Sequence, residues 1–170
     1  VLVAVIDTGV DLTHPDLANA IWQNAGELGL DANGVDRRSN GLDDDGNGYV
    51  DDWQGWNTVA GNNDPSDDHG HGTHLAGIIG ASVNNGVGIA GVAPNARILP
   101  VKVLDSTGYG SYAQVAEGIL YAADMGARVI NLGFAGLGSS QMLQDAVDYA
   151  IAHGALVVAA SGNGGLNTTF

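Results

Sequence analysis

The sequence contains no cysteine, so it can form neither disulfide bonds nor thiolate zinc sites. This absence fits a cytosolic protein and also a secreted enzyme of bacterial type, which leaves the redox compartment open. Basic residues are scarce as well: 5 Lys and Arg stand against 19 Asp and Glu, and the net charge is −14. Nucleic acids and anionic membrane surfaces would be repelled, so cations are the expected partners.

Long apolar segments are also missing. No run approaches the roughly 20 apolar residues that cross a bilayer, and no basic residue precedes Val1 as in a signal peptide. We therefore expect no membrane partner, and we expect any targeting segment to have been removed or omitted. No linker rich in Pro or Ser divides the 170 residues, of which 45% are hydrophobic. The prediction is one domain, or part of one, over residues 1–170.

Apolar, β-branched runs alternate with helical patterns along the chain. The runs are nearly continuous, as in strands buried on both faces of a parallel sheet. They lie at Val1–Ile6, Arg97–Leu104, Arg128–Leu132 and Ala155–Ala160. Apolar residues recur at helical spacing in about Gly72–Ser82, Ser111–Met125 and Ser139–Ala152. This alternation predicts an α/β fold with a doubly wound parallel sheet and helices on both faces.

Binding sites in such a fold form beyond the carboxyl ends of the strands. The segments at those ends are Asp7, Asp105–Gly110, Gly133–Gly138 and Ser161–Gly165. Asp7 would bring a carboxylate into this crevice, although an Asp there could equally cap a turn through nearby backbone donors.

A segment with three histidines, His69, His71 and His74, begins the first predicted helix. Its small residues would let the helix approach another backbone closely while an imidazole projects from the first turn. A transition-metal site is disfavoured, because no two of these histidines are four residues apart and no Glu lies between them.

Four segments together resemble the signature segments of the subtilisin family, in the family's order. They are Asp7-Thr8-Gly9, His71-Gly72-Thr73-His74-Leu75-Ala76-Gly77, Gly91-Val92-Ala93-Pro94 and Ala160-Ser161-Gly162-Asn163. The similarity runs from Val1 to about Gly165, with a longer region at residues 24–64 than the shortest members carry. It implies a secreted serine endopeptidase that acts on protein or peptide substrates.

The same resemblance implies the catalytic roles. Asp7 corresponds to the acid of the triad, His71 to the general base and Asn163 to the side-chain donor of the oxyanion hole. His71 is favoured over His69 because only His71 is followed by Gly-Thr-His. For His74 we expect a structural hydrogen bond inside the helix.

The family's nucleophile lies in a Gly-Thr-Ser segment, which this sequence does not contain. We expect the nucleophilic Ser to come from beyond residue 170, and we expect a chain cut at both ends, since Val1 already belongs to a core strand. Such a chain would be inactive alone. A complementary C-terminal portion or a propeptide is the expected protein partner.

By the same resemblance, two Gly-rich segments form the edges that hold an extended substrate. One consists of Gly108, Tyr109 and Gly110, and the other of Leu132, Gly133, Phe134, Ala135 and Gly136. The second departs from the family, which usually has Ser-Leu-Gly-Gly at Gly133–Gly136. We expect the first specificity pocket to accept large apolar side chains.

Acidic residues concentrate in a stretch, residues 24–68, that shows no helix or strand pattern apart from a short strand near Trp53–Val59. Part of it resembles an EF-hand calcium loop, inserted at residues 40–54. The predicted ligands are Asp43, Asp45, Asn47, the Tyr49 carbonyl, Asp51 and, in place of the Glu expected at position twelve, Asp52. Val50 is expected to pack inward. The alternative is a solvated acidic loop.

A second Ca²⁺ site rests on the family resemblance alone. Its ligands would be the side chains of Asp16 and Asn85 and the carbonyls of Val87 and Ile89. A third group, Asp64, Asp67 and Asp68, could support another site and is left unassigned.

Two other functions compete with a protease. Gly133, Gly136 and Gly138 follow a strand and imitate a phosphate-cradling turn, but their spacing is wrong for a dinucleotide-binding motif. The second alternative is a non-catalytic module of the same fold that binds calcium or protein.

Overall fold

The computed structural model describes residues 1–136 and 138–163. Five parallel strands form one sheet in the order β2-β3-β1-β4-β5. The strands are β1 Leu2–Asp7, β2 Trp56–Asn57, β3 Arg97–Lys102, β4 Val129–Leu132 and β5 Leu156–Ala159. The helices are α1 His71–Gly80, α2 Tyr112–Asp124 and α3 Gln141–Ala152. The α/β fold predicted from the sequence is confirmed.

The central strand β1 sends alternate side chains into two separate cores. Ala4 and Ile6 pack in a cluster with buried residues of α2 and α3, whereas Val3 and Val5 pack with Ala76 of α1. Because side chains alternate between the faces of a strand, the helices must cover both sides of the sheet. This arrangement explains why β1 is apolar on both faces from Leu2 to Ile6.

Helix α2 begins where its sequence provides a capping box. The Ser111 hydroxyl accepts a hydrogen bond from the Gln114 N–H, and the Gln114 side chain accepts one from the Ser111 N–H. The predicted stripe of Val115, Ile119 and Ala122 is buried. These residues pack α2 against β1 and β3, and the helix follows closely on the segment with Gly108–Gly110.

Strand β5 differs from the prediction of a strand buried on both faces. Leu156 is 63% exposed and Val158 46% exposed. Leu156 pairs with Val129, which pairs with Val3, so Leu156 and Val158 lie on the sheet face of Val3, where the helix α1 packs against β1 and β3. Within the described residues β5 is also an edge strand that pairs with β4 alone. On the neighbouring helix α3, Met142 and Ile151 are exposed as well.

The long acidic region is ordered mainly by turns. It contains two 3₁₀ turns, Ala25–Glu27 and Arg37–Ser39, and the short strand β2, which lies within the predicted Trp53–Val59 and pairs with β3. None of the helices in the described ranges is both long and apolar enough to cross a bilayer.

Gly118 allows α2 to lie close to the sheet. A Cβ atom at this position would lie 2.5 Å from Val103 Cγ1 and 3.1 Å from Val101 Cγ1. We therefore predict that Gly118→Ala lowers the free energy of unfolding by about 1–3 kcal/mol, the usual cost of overpacking a core. Urea denaturation of the full-length protein measures this.

Gly77→Ala in α1 is the matched control, because no neighbouring atom lies within 4 Å of a Cβ there. Its higher helix propensity should stabilise the protein by up to about 1 kcal/mol. If both variants were stabilised, close packing at Gly118 would be refuted.

Candidate active site

Asp7 and His71 meet at the carboxyl end of β1. Nδ1 of His71 lies 2.7 Å from Oδ1 of Asp7. The Asp7 side chain is fully buried, whereas 42% of the His71 side chain is exposed. The same Asp7 oxygen accepts a hydrogen bond from the Thr8 N–H at 2.8 Å. A buried carboxylate thus holds one nitrogen of the imidazole, and the ring remains accessible from the solvent side.

Two glycines make room for this pair. A Cβ on Gly72 would lie 2.1 Å from the Gly9 carbonyl oxygen, so only glycine lets α1 approach the turn after β1 so closely. A Cβ on Gly133 would lie 2.2 Å from Leu75 Cδ1 and 2.9 Å from Asp7 Oδ2. Gly133 therefore brings the segment after β4 directly against the acid–base pair.

Asp67 joins β1 to the first turn of α1. Its Oδ1 accepts hydrogen bonds from the Thr8 hydroxyl and from the N–H groups of His69 and Gly70. Its Oδ2 accepts hydrogen bonds from the N–H and the hydroxyl of Thr73. Thr8 Oγ1 in turn accepts the Gly72 N–H at 3.0 Å. One carboxylate therefore fixes the residues that flank both Asp7 and His71.

These hydrogen bonds change the acidity of Asp67. Burial alone would raise the pKa of Asp67, but the hydrogen bonds from Thr73, Gly70 and His69 outweigh burial and hold this pKa at about 2. Asp67 is thus fully ionised at neutral pH and satisfied by protein donors. Nothing about this carboxylate requires a metal ion.

Lys102 gives a second support at the same strand ends. It stands opposite Asp7 in the β1–β3 register and is 5% exposed. Its Nζ donates to the Thr8 carbonyl at 2.7 Å and to Asp68 Oδ1 at 2.6 Å. Asp67 and Asp68, left unassigned from the sequence, both act here as partners of protein donors.

A cleft of about 510 Å³ lies between the segments that follow β4 and β5. It is lined by Gly133, Phe134, Ala135, Ala160, Ser161, Gly162 and Asn163. Because Gly133 also adjoins the acid–base pair, Asn163 and His71 belong to one continuous surface. The rest of the predicted strand-end segment Ser161–Gly165 lies outside the described residues.

The other predicted edge, at Gly108–Gly110, forms a tight turn. Tyr109 uses both backbone groups inside it: its N–H donates to Asp105 Oδ1, and its carbonyl accepts the Asp105 N–H. Gly110 lies against the chain, because a Cβ there would lie 2.1 Å from the Val103 carbonyl oxygen. The Gly110 N–H has no partner in the described part of the chain, so it remains available at this edge.

The other two histidines of the motif are not bound to the acid. His74 lies on the exposed side of α1, and in residues 1–136 and 138–163 its imidazole forms no hydrogen bond. The expected structural hydrogen bond is therefore not found within the described part of the chain. The His69 ring lies 6.3 Å from the His71 ring, centroid to centroid, at the rim of the site.

The predicted EF-hand-like loop is folded around its own carboxylates. Asp43 accepts hydrogen bonds from the N–H groups of Gly46, Asn47 and Gly48, and Asp51 accepts that of Gly41. Gly46 and Gly48 adopt positive φ angles of 75° and 94°, as the sharp turn requires. Val50, expected to pack inward, is 41% exposed.

On the inner side of this loop, Asp45 and Asp52 meet Glu27, a residue that the sequence analysis missed. Oxygens of these three carboxylates lie within 4.8 Å of one another. Burial, together with Asp44, Asp45 and Asp52, raises the pKa of Glu27, and burial also raises that of Asp52. Glu27 lies 16 residues before Asp43 in the chain, so no local spacing could reveal it.

The second predicted calcium loop surrounds Asp16. This side chain is 2% exposed and accepts hydrogen bonds from Asn85 Nδ2 at 2.6 Å and from the Ile89 N–H at 3.2 Å. Asn85 Oδ1 accepts the Val87 N–H. The structure thus brings Asp16 into contact with Asn85 and Ile89. Asn85, Val87 and Ile89 line a cavity of about 230 Å³.

Comparisons with known proteins agree with this geometry. The model of the subtilase family, Peptidase S8, matches residues 1–169. The thermophilic serine proteinase of Bacillus sp. strain AK1 is 42% identical over 99% of this chain and 34% of its own length. Thermitase of Thermoactinomyces vulgaris is 42% identical over 96% of this chain and 47% of its own length.

A solved structure shows the same similarity. The crystal structure of fervidolysin from Fervidobacterium pennivorans, a keratinolytic enzyme related to subtilisin, aligns with a TM-score of 0.70 at 34% identity, over 96% of this chain and 21% of that one. The chain thus spans between about a third and a half of the length of the two curated relatives named above.

The Asp67 network leads to a test of stability against pH. Asp67→Asn replaces an acceptor with an amide nitrogen that cannot accept from Thr73. Because folding lowers the pKa of Asp67 from 3.8 to about 2, its stabilisation is present above pH 3.8 and is lost as the pH falls through 2. We predict a loss of roughly 1–2 kcal/mol at pH 7, allowing for solvent screening, that shrinks towards pH 2.

Thermal unfolding of the full-length protein between pH 2 and pH 7 checks this expectation. Asp148→Asn is the control, since that exposed residue bonds only to Gln144 in the described chain. A destabilisation by Asp67→Asn that did not change with pH would contradict the proposed origin of the effect.

Proposed function

This chain belongs to the subtilase family, and on that basis we propose that it is the N-terminal part of the catalytic domain of a subtilisin-like serine endopeptidase. It hydrolyses peptide bonds by an Asp-His-Ser mechanism whose Ser is supplied from beyond residue 170. The observation that carries the proposal is the 2.7 Å hydrogen bond between fully buried Asp7 and partly exposed His71.

The pair suits general-base catalysis. With Nδ1–H donated to Asp7, His71 presents the unprotonated Nε2 to an incoming nucleophile. Nε2 takes the proton of the Ser hydroxyl while the Ser oxygen bonds to the carbonyl carbon of the substrate. Buried Asp7 stabilises the imidazolium that forms. The imidazolium then gives its proton to the leaving amine as the peptide C–N bond breaks, and water releases the acyl group by the same two proton transfers.

The remaining parts of the site support the same chemistry. The Asn163 amide would donate to the oxyanion of the tetrahedral intermediate, in the cleft that it shares with Gly133. An extended substrate would pair with the free backbone groups near Gly110 on one side and with Leu132–Gly136 on the other. Apolar Phe134 and Ala135 line the cleft, which favours large apolar side chains at the first specificity pocket.

We infer further that the protein is secreted and that a propeptide or a complementary C-terminal portion is its protein partner. Family membership supports both inferences. Detection of the protein in the culture medium of its host would test the location.

The catalytic proposal is tested with the full-length protein. A fluorophosphonate should label one Ser downstream of residue 170, and peptide hydrolysis should depend on that Ser. Asp7→Asn should lower kcat by about 10⁴-fold, the known effect of replacing the triad acid in a well-studied serine protease. Asp31→Asn is the control, because Asp31 accepts the N–H groups of Asn33 and Val35 in its own turn. The chain 1–170 alone should show no turnover.

Two results would refute this assignment. One is a full-length protein that neither reacts with the fluorophosphonate nor cleaves peptides, as a non-catalytic module would behave. The other is measurable turnover by pure 1–170, because then another nucleophile would act.

We also propose that Ca²⁺ stabilises the fold at two loops. The donors in both are oxygens, which hard cations prefer. Residues Asp43–Asp52 would hold one ion, and Asp16, Asn85, Val87 and Ile89 would hold the other. The hydrogen bonds from Asn85 and Ile89 to buried Asp16 support the second site.

Calcium should therefore raise the melting temperature of the full-length protein. At a free Ca²⁺ concentration of 100 times its Kd, one site adds about 2.7 kcal/mol to the free energy of unfolding. Asp16→Asn should remove part of the rise, whereas Asp148→Asn should leave it intact. The absence of any rise at millimolar Ca²⁺ would refute the calcium proposal.

A further inference from the structure

Glu27 is a buried acid with one unused oxygen. It ends the 3₁₀ turn Ala25–Glu27, and its side chain is 0% exposed. Oε1 accepts the Asp44 N–H at 2.8 Å, but buried Oε2 has no hydrogen-bond partner among the described residues. A buried carboxylate oxygen without a partner is costly, so Oε2 needs one that the described residues do not supply.

This oxygen belongs to a cluster of three carboxylates. Glu27, Asp45 and Asp52 bring oxygens within 4.8 Å of one another, and Asp52 is also fully buried. Asp45 is exposed, but the negative charges of buried Glu27 and Asp52 repel one another and that of Asp45 more strongly than they would in water. The cluster, here called the Glu27 trio, is therefore unfavourable without a positive charge.

Neutral hydrogen-bond donors compensate only part of the negative charge of the trio. Asp52 accepts hydrogen bonds from Asn24 and Asn47, and from the Tyr121 hydroxyl at 2.7 Å. The basic residue at this turn, Arg37, instead pairs with Asp44 and donates to the Gly26 carbonyl. Within the described chain, no Lys, Arg or His forms a salt bridge with the trio.

We propose that Glu27, Asp45 and Asp52 bind one Ca²⁺ ion, with Glu27 supplying the carboxylate that the EF-hand-like loop lacks at its twelfth position, where Gln54 stands. Only oxygen ligands are present, which favours Ca²⁺ over transition metals. Ca²⁺ also accepts many protein oxygens in flexible geometry, whereas Mg²⁺ keeps several waters. The inference rests on the proposed calcium binding and names its ligands.

The loop's own geometry favours the inner side for this ion. Both Asp43 oxygens already accept backbone N–H groups, and the Asp51 carboxylate is held by the Gly41 N–H. The trio, by contrast, contains the unpartnered oxygen. An ion there would tie the turn at Glu27 to α2, because Asp52 is bonded to Tyr121.

Aromatic rings next to the trio allow direct detection of the ion. The Tyr49 ring contacts Tyr121 and Trp56 edge to face, with centroids 4.7 Å and 4.9 Å away. Tb³⁺ replaces Ca²⁺ at oxygen sites and emits when a nearby Tyr or Trp is excited. In the full-length protein we expect sensitised Tb³⁺ emission that Ca²⁺ displaces.

Glu27→Gln should weaken Tb³⁺ and Ca²⁺ binding at this site by on the order of 10-fold or more, since it removes one charged ligand. Glu117→Gln is the matched control: Glu117 accepts the Trp56 indole N–H at 3.3 Å, beside the same rings, but is not part of the trio. Its emission and affinity should match those of the unmodified protein.

Melting temperatures separate ligand loss from misfolding. Without metal, Glu27→Gln should raise the melting temperature, because it removes a repelling buried charge. Adding Ca²⁺ should raise the melting temperature of Glu27→Gln by less than it raises that of the unmodified protein. A variant that simply packs badly would melt lower in both conditions.

Unchanged affinity in Glu27→Gln, or a lower melting temperature without metal, would overturn the proposal. So would loss of the emission in Asp43→Asn but not in Glu27→Gln, which would move the ion to the outer side of the loop. Peptide hydrolysis and the Ca²⁺ response of the Asp16 loop are measured separately, so failure here is distinguishable from failure of the protease or calcium proposals.

Discussion

The hydrogen bond between Asp7 and His71 depends on how closely α1 can approach the end of β1. Gly72 permits the approach, since any Cβ there would overlap the Gly9 carbonyl oxygen. Asp67 then fixes it with hydrogen bonds from Thr8 on one side and Thr73 on the other. Both the missing side chain at Gly72 and the hydrogen bonds of Asp67 are needed, because a close contact without directional hydrogen bonds would leave the imidazole free to rotate. The rest of the cleft is arranged around this junction.

The protein contains far more acids than bases, and it compensates the negative charge of individual acids in different ways. Asp67 receives N–H and hydroxyl donors, which lowers its pKa. Asp68 pairs with the buried Lys102. Glu27 and Asp52 have fewer compensating groups, and their pKa values are raised. Composition shows only the total charge, whereas the local donors decide which acids are stable as anions and which require a cation.

Most of the fold could be predicted from the sequence because its signals are local. Continuous apolar runs mark the strands, and Ser111 with Gln114 marks the start of α2. Asp7 and His71 were found through short motifs and lie in hydrogen-bond contact. The exposure of β5 could not be predicted in this way, because a strand's position in the sheet depends on pairing between distant segments. Glu27 was missed for the same reason: its partners are remote in sequence.

The sequence pattern could not distinguish the different surroundings of two acids, Asp67 and Glu27. Both are acids within the long region before α1, and both were predicted, if at all, only as part of a diffuse negative stretch. The backbone around Asp67 directs several N–H groups at one carboxylate, so its charge strengthens the fold without a metal. Glu27 accepts only the Asp44 N–H, and among the described residues its other oxygen has no partner. The direction of backbone donors, rather than the density of acids, therefore separates the acid that protein groups satisfy from the one for which we propose a cation.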